Sequence, residues 1–137
     1  MTPDALIAAA EDLIRRPDAT SAGVWPRASA LLARQALEDA LALQWQVRPQ
    51  TAELGSCSMR SQLACLATYL DPITARQVAY SWAALSNACH YHSYELGPTA
   101  AELKGWIANV RTLITHIAAQ SPAQDRDEAA ATNPGSC

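Results

Sequence analysis

The chain has 137 residues, half of them apolar and 17% charged, which suits one domain with a real core. The formal net charge is −3, and much of it belongs to the end of the chain, where Asp125, Asp127 and Glu128 outnumber Arg126. A near-neutral body argues against nonspecific duplex binding, which depends on many Lys and Arg contacts to phosphate; a local basic patch on one face is not excluded.

"MTPDALIAAAEDLIRR" predicts the first helix, with Thr2 as N-cap and Pro3 at the first helical position. Leu6, Ile7, Ala10, Leu13 and Ile14 fall on one stripe. The segment has acidic residues early and no basic stretch before an apolar run, so it does not read as a signal peptide. No apolar run approaches the roughly 18 residues of a membrane span. The expectation is a cytoplasmic protein with reduced thiols, Cys65 and Cys89 lying in the core.

After the turn-rich "PDATSAGV", a second helix is expected over 25–47. Its apolar band reads as Ala28, Leu31, Leu32, Gln35, Ala36, Asp39 and Leu43, widened by Leu37, Leu41 and Trp45. Arg34 with Glu38, and Gln35 with Asp39, are spaced i,i+4. Such pairs form either an exposed ion-paired face or, if buried, a network that must be fully bonded. "RPQTAELGSC" reads as a loop. A third helix over 58–70 follows, with Arg60 in its first turn and Met59, Leu63, Leu66 and Leu70 on one side.

Asp71-Pro72 starts a fourth helix, which carries Ile73, Val78, Trp82, Leu85 and Cys89 inward and runs into "LSNACHYHSYELGPT". The fifth helix opens on the capping box Thr99–Glu102 and repeats Leu103, Trp106, Ile107, Val110, Leu113, Ile114 and Ile117. The last segment, 120–137, has no large apolar residue and is expected to be a disordered tail on a single domain over 1–119. The pattern predicts an all-α, antiparallel helical bundle of four to five helices, in which the first and third brace a core made by the other three.

"LSNACHYHSYELGPT" gathers the chemistry. On a continuing helix, Ser86, His90 and Tyr94 stand one turn apart, with Asn87 beside them. The histidines titrate near neutral pH and are candidates for proton transfer. The competing reading is a polar helix end whose side chains bond the following loop. Zinc is not expected: Cys57 and Cys65 are eight apart, and His90 and His92 point apart on a helix. Cys89 continues an apolar stripe and faces away from His90, so it reads as an inert thiol. No cofactor is expected.

A long helix of the type "RQALEDALALQW" and a later one ending in "LSNACHYHSYEL" resemble the HEPN superfamily, over roughly residues 28–117 in layout. That resemblance implies a small, commonly homodimeric bundle of the toxin–antitoxin or phage-defence kind. It acts on RNA or with a cognate partner protein, and many members are metal-independent ribonucleases. The family motif is an Arg, a polar residue after it, a His four to six residues on, and a Tyr. Asn87, His92 (His90 less well) and Tyr94 match; Ser86 stands where the Arg belongs. The resemblance then implies catalytic His90 or His92, oriented by Asn87 and Tyr94, with Arg34 or Arg60 binding phosphate. The segment order also looks like that of small actinobacterial proteins, which implies no mechanism. Two further readings stand beside this one. The first is a noncatalytic dimerisation or protein-interaction module, and the second a small-molecule bundle with a pocket lined by Trp45, Trp82 and Trp106.

Overall fold

The computed structural model describes residues 1–16, 24–90 and 96–120. They form five α-helices: α1 (Pro3–Arg15), α2 (Trp25–Gln46), α3 (Met59–Tyr69), α4 (Pro72–Cys89) and α5 (Ala100–Ala119). The disordered tail expected beyond Gln120 lies outside the described residues. Gln120 itself is held: its side chain accepts from the Asp71 N–H and donates to the Asp71 carboxylate, at 3.1 and 2.8 Å.

Four helix starts are fixed by side chains that accept an otherwise unbonded amide. Thr2 takes the Ala5 N–H, Ser58 that of Ser61, Asp71 that of Thr74 and Thr99 that of Glu102. Glu102 completes the box by accepting the Thr99 N–H at 2.9 Å. Only α2, entered through Val24 with Pro26 in its first turn, has no side-chain cap.

α1, α2, α4 and α5 make an antiparallel bundle. Ser29 of α2 donates to the Ala10 carbonyl of α1, Glu11 of α1 grips Arg111 of α5, and Asn109 of α5 donates to Ser81 of α4. α2 is the central helix and packs on α1, α4 and α5. The α5 stripe is as expected: Leu103, Ile107, Val110, Leu113, Ile114 and Ile117 are all buried. Each such side chain removed from water contributes about 1.5–3 kcal/mol.

The first helix is no brace. It buries Leu6, Ile7, Ala10 and Ile14 and is part of the core. On α2 the buried band is Ala30, Ala33, Ala36, Leu37, Ala40, Leu41, Gln44 and Trp45, while Leu31 and Leu43 stand 46% and 54% exposed. The helix is turned relative to expectation: Ala30, Ala33, Ala36 and Ala40 pack inward beside Leu37 and Leu41, and Leu31 and Leu43 are left outside. Ile73 is exposed too, Cys65 is only half-buried, and Cys89 is in the core as expected.

The expected loop before α3 is instead a 3-10 segment, Pro49–Ser56. Thr51 locks it by donating to the carbonyls of Trp45 and Arg48. Trp45 is buried, packs edge-on against Tyr69, and donates its indole N–H to Gln62 of α3 at 2.9 Å. Gln62 in turn donates to the Cys57 carbonyl. This knot seats α3 against the end of α2.

Candidate functional site

α4 ends at Cys89, and His90 is its C-cap, with its N–H bonded back to the Asn87 carbonyl at 3.1 Å. α4 thus ends before the turn on which His90 and Tyr94 were expected to align. His92 and Tyr94 lie outside the described residues. His90 is exposed, in keeping with a cap at the surface.

Arg34 reaches this end of α4 from the facing helix. Midway along the contact, Trp82 of α4 donates its indole N–H to Glu38 of α2 at 2.9 Å. The helices run antiparallel, so one turn back on α2 and one turn forward on α4 brings Arg34 opposite Ser86. The charge of Arg34, with that of Arg27, acts on the Cys89 thiol. Arg34 is 21% and Glu38 25% exposed, and Arg34 Nε stands 3.5 Å from Glu38 Oε1. That contact is an ion pair without hydrogen-bond alignment, for Arg34 Nε is buried and lacks a bonding partner. The Ser86 hydroxyl is likewise buried and unbonded. Two buried polar groups on the two facing helices are thus left unsatisfied, a costly arrangement that native interiors seldom keep.

The remaining candidates diverge. Asn87 is exposed and turned toward α5, where it lines a shallow groove with Ala88, Pro98 and Trp106. Arg60 is exposed on α3, two residues from the Gln62 that binds Trp45. Trp45 follows Arg34 by eleven residues, about 16 Å along the helix. Arg60 therefore belongs to the opposite end of the bundle, and Arg34 alone of the two arginines lies in the half that carries His90. Gln35 and Asp39 do not enter a buried network; they bond each other at the surface at 2.7 Å.

Cys89 sits where the thiolate is disfavoured. Burial pushes its thiol up, and the Arg34 and Arg27 charges offset this only in part. Among the described residues, no three His, Cys, Asp or Glu side chains converge to hold a metal ion. The three tryptophans do not line one pocket either. Trp45 is buried in the α2–α3 knot, Trp82 is bonded to Glu38, and Trp106 borders the Asn87 groove. No described helix is long and apolar enough to cross a membrane.

The Glu38–Trp82 link and the unbonded Ser86 hydroxyl have no counterpart in the sequence pattern. A half-buried indole needs an acceptor, and that need was the available signal. Comparisons with protein-family profiles, curated proteins and solved structures find no match to this chain.

Proposed function

We propose that this chain is an RNA-directed, HEPN-like homodimeric domain with metal-independent ribonuclease chemistry, Arg34 standing in for the missing motif arginine. The observation that supports this reading is the unsatisfied pair Arg34 Nε and Ser86 Oγ, one turn from His90. A phosphate oxygen accepts from both donors, and the guanidinium fork suits its geometry. His90 or His92 takes the 2′-hydroxyl proton, the 2′-oxygen bonds to phosphorus to close a 2′,3′-cyclic phosphate, and the P–O5′ bond breaks as the departing 5′-oxygen takes a proton from water. Such acid–base assistance contributes about 10²–10⁴-fold. Asn87 and Tyr94 orient the histidines in this scheme, and a cognate partner protein would control access to it.

The test is cleavage of a mixed-sequence RNA in EDTA by wild type, Arg34→Gln, His90→Ala and His92→Ala. Activity in the wild type that falls at least about 100-fold in Arg34→Gln and in one His variant supports the reading. Absence of cleavage in all four proteins sinks it.

A noncatalytic interaction module is favoured by one observation: Ile73 and Tyr80 of α4 lie one face apart by seven residues and stand 68% and 64% exposed. Under that reading, Tyr80→Glu dissociates the dimer in sedimentation while RNA is never cut.

A further inference from the structure

At the opposite end of the bundle from His90, the start of α1 and the last turns of α2 and α5 enclose a groove of about 420 Å³. Sites for small molecules fall in a range of about 300–1,000 Å³. Its walls are mostly apolar: Val47, Ile114 and Ile117 line it, and Leu43 and Val47 are 54% and 43% exposed at its rim. Thr2, Asp4 and Gln44 are its polar lining residues, and of these Gln44 alone is buried. This side chain is 4% exposed, lines the groove, and its amide nitrogen is buried with no hydrogen-bond partner.

What Gln44 Nε2 lacks is an acceptor, and the nearby Thr2 oxygens are engaged: its hydroxyl accepts the Ala5 N–H and its carbonyl the Leu6 N–H. The groove thus presents a buried amide donor in an apolar wall, which calls for an acceptor carried on an aliphatic body. Asp4 lines the same groove and disfavours an anion there.

We propose that this groove binds a small aliphatic molecule ended by an uncharged carbonyl. The carbonyl accepts from Gln44 Nε2, and the alkyl chain lies on Val47, Ile114 and Ile117. The site is independent of the Arg34–His90 end and of any action on RNA.

The probes are octanamide and octanoate, titrated into the full-length chain and followed by NMR of the Gln44 side-chain amide and the Ile114 and Ile117 methyls. Octanamide is expected to shift all three groups and to bind at least about tenfold more tightly than octanoate. Gln44→Leu keeps the shape but removes the donor, and weakens octanamide about tenfold, the worth of one good hydrogen bond. Ala118→Trp, on the exposed last turn of α5, fills the groove and abolishes the shifts. The proposal is overturned if octanamide gives no shifts at its solubility limit, or binds Gln44→Leu or Ala118→Trp as well as wild type. If Gln44→Leu fails to fold, the Ala118→Trp titration decides alone.

Discussion

Trp45 and Trp82 each donate an indole N–H across a helix–helix contact, to Gln62 and to Glu38 at 2.9 Å in both cases. Around Trp45 the polar accounting closes. Gln62 passes its own amide to the Cys57 carbonyl, and Thr51 caps the Trp45 carbonyl. Around Trp82 it does not. Glu38 accepts the indole and faces Arg34, yet Arg34 Nε and the Ser86 hydroxyl remain buried and unbonded. The first network leaves no polar atom of its own wanting a partner; the second leaves two. Both kinds hang from one helix, α2.

The strongest way to break the contrast is Gln62→Ala. It strands the Trp45 indole and the Cys57 carbonyl together, and should cost about 2–3 kcal/mol in urea unfolding. A loss below that of Trp82→Phe would show that the Trp45 knot is not the more committed one. Trp82→Phe removes a donor from a partly solvated carboxylate, and should cost no more than about 1 kcal/mol.

Asp71 offers a pH-dependent version of the closed case. Its carboxylate accepts from the Thr74 hydroxyl and amide and from Gln120, and its pKa falls from the ordinary 3.8 to about 2. The folded value is depressed, so the ionised form favours folding. That advantage is fully present above the ordinary value and disappears as pH falls from about 4 to 2. Thermal midpoints of wild type and Asp71→Asn should therefore differ at pH 5 and converge toward pH 2. A constant gap would show that the cap, not the charge, is what matters.

The smallest effect carries the opposite sign. Ser86→Ala deletes an unbonded buried hydroxyl and should stabilise by about 0.5–1 kcal/mol. A clear loss of stability would mean that Ser86 is bonded in solution, and that the cluster is closed after all.

Much of this arrangement is legible in the sequence. α5 has one heavy stripe and no competitor, so its buried face follows from spacing alone. α2 has two stripes of similar apolarity, and weighting size selected Leu31 and Leu43 over the alanines that pack. Helix starts are legible through Thr2, Asp71 and Thr99 because caps are local chemistry. The end of α4 at Cys89 is not, since nothing in Ala88–Tyr91 forbids another turn. Arg34 with Glu38 was visible as a pair, but their α4 neighbours stand 44 residues away in the chain, beyond any local pattern.

The alanines that line α2 at positions 30, 33, 36 and 40 present much the same shallow relief at every turn. Ser29 stands on the same face as Ala33, Ala36 and Ala40 and donates to the Ala10 carbonyl, so this relief receives α1, and α4 meets α2 on the side that carries Glu38. On that side Glu38 matches one height of α4. A slip one way sets it against Ser86, and the other way against Val78; only the observed setting gives it an indole. His90 follows Trp82 by eight residues, so the histidine stands about 12 Å above this carboxylate. The Glu38–Trp82 bond thus joins Asn109–Ser81 and Gln120–Asp71 in setting the height of His90.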